Sequence, residues 1–403
     1  MHNNKNIPVL SRSARGLLAS ALLGLSGVSY GDLLLYEKND TTFSTDGYMN
    51  TFYTSSKVNR DGKLYDRRQA RVRMGYLPNW IGFNFKRENY EGLTIGARAS
   101  FWVSINDSQS DGTSTAIDVR QFYGTFGGWW GEVLFGKDFG LFSRSNIMLD
   151  EMLSNVGNVS DTLGLVDGGG VSFGNIGTGF PYPFPTSQIT YRNNELLVKG
   201  LRLAVGVMDP YDASQVDETT STVGANQSYQ NSPRFEFETS YHFDVGASKI
   251  YAWVNGQQQN SKNTNKQVKN VESKGLGYGV QFKHGPYTLV TSGFNAKGIN
   301  PFFTNNYGKA ALRNIDSHGY LVQGSWKFWE KNKIALSYGI TKDNGNGLGH
   351  KADYSTKGVA YTRTVNDNLK LLAEYTKYHI KDRDGSTLTE HTNTMAFGAV
   401  LSW

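Results

Sequence analysis

The stretch "NTMAFGAVLSW", residues 393–403, alternates without a break. Met395, Phe397, Ala399, Leu401 and Trp403 fall on one face. Thr394, Ala396, Gly398, Val400 and Ser402 fall on the other, smaller and partly polar. A side-chain period of two is the signature of a β-strand with two unlike faces. The pattern recurs upstream. Leu93, Ile95, Ala97, Ala99, Phe101 and Val103 oppose Thr94, Gly96, Arg98, Ser100 and Trp102. Phe235, Phe237, Thr239, Tyr241 and Phe243 oppose Arg234, Glu236, Glu238, Ser240 and His242. Leu276–Phe282 and Leu369–Tyr375 read the same way, and one face of each segment carries no charge.

The connections alternate too. Tight turns of Gly, Asn, Asp and Pro fall near 88–91, 127–131, 193–200, 244–247, 284–286, 329–332 and 365–368. Between them lie long polar connections at about 57–68, 105–115, 139–185, 209–231, 260–271, 297–314, 344–352 and 382–388. This spacing predicts sixteen strands. The second is open, because Pro78 either interrupts it or ends the first loop. The first and eleventh have blurred faces. An even strand count, with short turns at one end and long loops at the other, predicts an all-β, transmembrane antiparallel barrel. Only helices and closed barrels satisfy every backbone N–H and C=O in lipid. A soluble propeller would show a motif repeating every 40–50 residues or so, and none recurs.

Composition narrows the functions. The 403 residues include 46 Gly and 13% aromatics but only 38% hydrophobics, and beyond the N-terminus no apolar run is long enough for a spanning helix. Cysteine is absent, which excludes disulfides, thiol nucleophiles and thiolate metal sites. Lys5, Arg12 and Arg15, then the apolar "GLLASALLGLSGV" (16–28), then Ser29-Tyr30-Gly31, predict a signal peptide over 1–31 cleaved before Asp32. The mature unit is then the single barrel 32–403. Removing the signal takes away three positive charges and lowers the net charge from +6 to +3. No Lys/Arg stripe points to nucleic acid. The histidines lack metal spacing, and "GLGYG" (275–279) and "GNGLG" (345–349) lack the strand–helix context of a phosphate loop. No cofactor and no metal are expected.

The third long connection, 139–185, spans 47 residues. Structureless loops beyond about 12–15 residues are uncommon unless they are functional. It holds Arg144 against Asp150, Glu151, Asp161 and Asp167, and Pro181, Pro183 and Pro185 stiffen its exit. The flanking "VRQFYGTFGGWWGEVLFGKDFGLF" resembles the fourth and fifth strands of the general trimeric porins of Gram-negative bacteria. "ITYRNN" and "GLRLAVGV" resemble their sixth and seventh strands. The resemblance covers the mature chain in layout; its motifs are confined to about 118–208 and the C-terminus.

That resemblance implies an outer-membrane channel for passive diffusion of small hydrophilic solutes and ions, assembled as a homotrimer. It implies that 139–185 folds into the pore and forms the constriction, acids on the loop facing bases on the wall. Carried over residue by residue, Arg120, Lys137 and Arg192 supply the wall, and Asp150 and Glu151 the loop. Arg98 joins them from the alternation of its own strand. The usual Pro-Glu-Phe-Gly-Gly stretch of enterobacterial relatives is missing. The terminal strand resembles the membrane-insertion signal of outer-membrane proteins, carried here by Gly398, Leu401 and Trp403, with Trp in the usual place of Phe. Outer-membrane lipid, lipopolysaccharide and the barrel-insertion machinery are the expected partners. The alternatives are a substrate-selective channel for sugars or small carboxylates and, outside transport, a barrel enzyme or adhesin platform.

Overall fold

The computed structural model describes residues 32–60, 66–106, 117–167, 170–195, 198–210, 216–217, 222–223, 228–263, 270–303, 316–345, 349–386 and 388–403. The expected signal peptide, 1–31, lies outside them, as do parts of the long connections. The strands are β1 (Leu33–Lys38), β2 (Thr41–Arg60), β3 (Arg67–Arg73), β4 (Asn79–Tyr90), β5 (Leu93–Val103), β6 (Ile117–Gly128), β7 (Gly131–Phe139), β8 (Pro185–Asn194) and β9 (Leu201–Met208). They continue with β10 (Arg234–Val245), β11 (Ser248–Asn263), β12 (Val271–His284), β13 (Tyr287–Lys297), β14 (Asp316–Phe328), β15 (Asn332–Asn344), β16 (Lys351–Thr364), β17 (Leu369–Asp382) and β18 (Glu390–Ser402). Among the described residues one short helix, α1 (Arg144–Met148), lies between β7 and β8.

These segments form a closed antiparallel barrel of sixteen staves. Two staves are composite. β3 and β4 both pair with β2, from Val58↔Arg67 to Phe52↔Arg73 and from Tyr48↔Trp80 to Thr41↔Arg87. They are one stave interrupted at 74–78, so Pro78 breaks the second strand rather than ending a loop. The interruption keeps its donors satisfied: the amides of Met74 and Gly75 bond the side-chain oxygens of Asn106 and Asn50 at 2.7 and 2.6 Å. On the other edge of β2, β18 pairs from Arg60↔Glu390 to Tyr48↔Ser402, and β1 continues below it from Leu33↔Thr45. Trp403 fills the junction, exchanging backbone bonds of 3.0 and 3.1 Å with Gly47.

The alternation fixes which side faces where. Phe235, Phe237 and Tyr241 are exposed on the outside of β10, while Arg234, Glu236, Glu238 and Ser240 are buried inside. The hydrophobic core lies inside the barrel, where 140–184 packs on the wall. Val156, Val159, Leu165 and Val166 meet Tyr48, Phe52, Leu372 and Val400. Ile147, Leu153, Ile176 and Phe180 meet Phe302, Leu321, Tyr354 and Ile380. This explains the blurred eleventh strand, β13. Its inward Val290 and Phe294 are fully buried, packed in clusters with Leu149 and Phe142. An apolar residue on the inner face needs a dry partner, and this segment supplies one.

Candidate functional site

A chain crossing the inside of a barrel must find partners for its amides. Here the wall supplies carboxylates and amide oxygens. Glu236 accepts the N–H groups of Leu141 and Phe142 at 2.6 and 2.9 Å, and Asn255 that of Ser143 at 3.0 Å. Glu374 accepts those of Val156 and Gly157 at 2.7 and 2.8 Å. Glu390 accepts those of Asp161 and Thr162, each at 2.7 Å. From β3, fully buried Arg73 donates to the carbonyls of Leu165 and Gly170. The fit is close. A Cβ on Gly339 would lie 1.8 Å from the Thr178 carbonyl oxygen, so the segment touches bare wall backbone there.

Sealed to β10–β18, β2 and β3 in this way, the segment leaves a cavity of about 350 Å³ on its other side, toward β4–β9. Arg98, Arg120, Arg192 and Arg202 line it from the wall, and Arg144, Ile147 and Met148 line it from the segment. Arg98, Arg120, Arg144 and Arg192 are held by charge-assisted contacts. Arg98 grips both carboxylate oxygens of Asp46 at 2.6 and 3.0 Å and also bonds Gln121 at 2.9 Å. Arg192 and Arg144 share Asp138, at 2.9 and 3.2 Å. Arg120 reaches Asp118 at 2.7 Å and the Tyr182 hydroxyl at 3.0 Å.

Beside them runs an aromatic stack. Tyr48, Trp80 and Trp102 lie with successive ring centroids 4.7 Å apart, and Phe139 and Tyr182 extend the line edge-on at 6.0 and 6.1 Å. The Arg120 guanidinium sits 5.2 Å from the Trp102 ring. The sequence put Trp102 on the Arg98 face of β5, but neither the stack nor Arg202 was singled out there. The signal was available as inward aromatics on β4 and β5 and an arginine on β9.

The expected constriction residues divide. Arg98, Arg120 and Arg192 come together around the cavity. Lys137 does not. It lies opposite Phe122 and Ser187, on the outward face with Phe135, while the inward side of β7 belongs to Glu132 and Asp138. The correction follows from strand parity: Lys137 is an odd step from Asp138. Asp150 and Glu151 also lie away from the arginines. Asp150 is buried among Gln323 (2.6 Å), Asn175 (2.8 Å) and the Met152 amide (2.8 Å), and burial raises its carboxyl above the usual carboxylate range. Glu151 bonds Ser325 at 2.8 Å and Lys333 at 3.3 Å, on β14 and β15. The other two acids are also engaged: Asp161 with Arg60 and Arg67, and Asp167 with Arg67 at 2.7 Å. On the cavity side the segment contributes a cation, Arg144, which the wall's buried Asp138 holds, while the wall itself carries four arginines. At the C-terminus, Leu401 is exposed on the outward face, and the Trp403 ring lies over Gly47.

The model of the Gram-negative porin family matches residues 18–383. Among solved structures, the channel DcaP of Acinetobacter baumannii superposes with a TM-score of 0.64 at 15% identity, covering 92% of this chain and 100% of that one. An anion-selective porin from Comamonas acidovorans gives 0.62 at 15%, covering 90% and 100%. The trimer form of OmpT from Vibrio cholerae gives 0.54 at 14%, covering 90% and 99%. No curated protein matches in sequence. Family match, closed sixteen-stave barrel and shared architecture agree: the chain belongs to the Gram-negative porin family, and it is an outer-membrane channel for passive diffusion.

Proposed function

We propose that solutes pass between the 139–185 segment and the wall of β4–β9, with that segment as the constriction. One observation carries this reading: the amides of the segment are consumed by wall carboxylates on β10, β17 and β18, while Arg98, Arg120, Arg192 and Arg202 line the open side. Pore width sets the size limit, and the arginine–carboxylate lattice orients dipolar solutes in a narrow, poorly screened space. Asp150 and Glu151 hold the segment in place and contribute little to selectivity. Among transport alternatives, a solute-selective channel is favoured by the stack of Tyr48, Trp80 and Trp102 beside Arg120, which suits flat or sugar-like solutes. The channel works without enzymatic turnover and assembles as a homotrimer, the state described for the OmpT structure. Gly398, Leu401 and Trp403 mark the strand read during insertion, after cleavage before Asp32.

Single-channel recording in planar bilayers tests the reading. Excision of 145–180, closed by a short Gly-Ser linker, should raise conductance several-fold and relax the size limit. Unchanged conductance in a folded barrel would contradict it. Saturable block by a flat anionic or sugar solute would favour the selective alternative.

A further inference from the structure

Two histidines meet on the outer wall. His379 of β17 and His391 of β18 are direct partners in the strand register, and their rings stack with centroids 4.1 Å apart at 13°. Their neighbours along the strands, Tyr378, Ile380, Glu390 and Thr392, are buried inside the barrel, so both imidazoles point outward. A long connection separates them in the chain, and no spacing in the sequence marks them as a pair. Both stand two outward positions beyond the exposed Tyr375 and Met395, about 13 Å along the strand toward the long connections. The pair therefore lies at the rim, above the apolar side chains that face lipid.

The setting suits a metal ion. Stacking at this distance requires at least one neutral ring, since two imidazolium charges would repel strongly. The cations nearby are turned elsewhere. The Lys357 ammonium sits 5.5 Å from the Tyr338 ring on β15, and that of Lys377 5.7 Å from the Tyr375 ring, on the side away from His379. Lys381 opposes Asp353. On the other flank, Asn59 of β2 opposes His391, and its amide donates to Asp66 at 2.6 Å. Asp66 thus brings a negative charge to the end of the same row. Among the described residues no group of three metal-binding side chains forms, so the pair is a two-ligand site that water completes.

We propose that His379 and His391 chelate a divalent transition-metal ion of the copper and zinc class. Imidazole suits these ions, and copper binds a given nitrogen site most tightly. Metal–nitrogen bonds of about 2.0–2.1 Å bring the two donor atoms to about 3 Å from each other. The rings reach that separation by turning out of the stack. Both have room to turn, for His391 is exposed and His379 half-buried. The bound ion ties β17 to β18, the final strand, beside its seam with β2.

Titration of the purified barrel with Cu2+, followed by electron paramagnetic resonance, tests the site. An equimolar amount of copper should give a spectrum with a pair of coordinated nitrogens. His379→Gln and His391→Gln should each weaken binding on the order of tenfold or more, since even a lost supporting partner costs a metal site that much. Excess Mg2+, which takes oxygen ligands, should not compete. A second measurement needs no substitution. Zn2+ should protect both histidines from carbethoxylation by diethyl pyrocarbonate, read by mass spectrometry, while His318, exposed on the outward face of β14, stays reactive. Copper affinity unchanged by either substitution would overturn the proposal. So would displacement by Mg2+, or zinc that protects neither histidine.

Discussion

Arg120 shows how one residue escapes the simple alternation. Between Ser100↔Gln121 and Phe101↔Val119 the β5–β6 register skips, and Arg120 is the extra residue. By parity alone it would share the outward face with Phe122, yet it lies against Trp102 and Tyr182. A bulge re-aims one side chain and increases local twist. Resemblance identified Arg120; its own strand pattern did not. Lys137 is the converse: parity places it outside, and resemblance placed it in the wall. The loop acids were legible as acids but not in their direction. That depends on pairings such as Lys333 to Glu151, 182 residues apart in sequence. At this scale Glu374 is the informative carboxylate. Glu374→Gln removes one of two acceptors for Val156 and Gly157, and a buried unpaired donor costs about 1–3 kcal/mol. Denaturant titration should show that loss, and bilayer recordings should show noisier open-channel current. Unaltered stability together with unaltered noise would argue against the latch.

The elements were the most legible part of the chain. Period-two alternation placed β5 at Leu93–Val103, and the seven short turns fall where Gly, Asn, Asp and Pro cluster. Strand parity also makes a sharp test. On β9, Val205 is exposed outward between Tyr191 and Phe237, whereas its neighbour Ala204 lines the cavity. Val205→Arg should block assembly, since a cation facing the middle of the bilayer costs about 2–4 kcal/mol. Ala204→Arg should assemble and reduce conductance. Gel shift on heating reports assembly for both, and equal yields would mean the faces are assigned the wrong way round. What alternation could not show was the end-to-end junction of β1 and β18, since it depends on β2 offering one edge to both. Gly47→Val would drive a side chain into the Trp403 ring, whose nearest atom lies 2.1 Å from an ideal Cβ. Slower insertion and a lower melting temperature are expected. Normal values for both would show that the Trp403–Gly47 contact is dispensable.

At the scale of the whole molecule, two surfaces are built on one sheet. The outer face carries most of the exposed apolar side chains. The inner face is divided into a dry half that holds the 140–184 segment and a charged half that borders the cavity. Sequence alone shows that inside and outside differ. It does not show the division of the inside, because the apolar inward residues of β13 and the carboxylates of β10, β17 and β18 acquire meaning only when the segment meets them. The central claim, that passage runs along the arginine side, rests on that division. Reversal potential under a salt gradient tests it most directly. Arg98→Gln/Arg120→Gln should move selectivity toward cations by leaving Asp46 and Asp118 unpaired. The shift should be large at 0.1 M salt and small at 1 M, as the screening length falls from about 10 to about 3 Å. Asp150→Asn/Glu151→Gln should shift it far less. If the acid pair moves the reversal potential and the arginine pair does not, passage runs on the other side of the segment and the account is wrong.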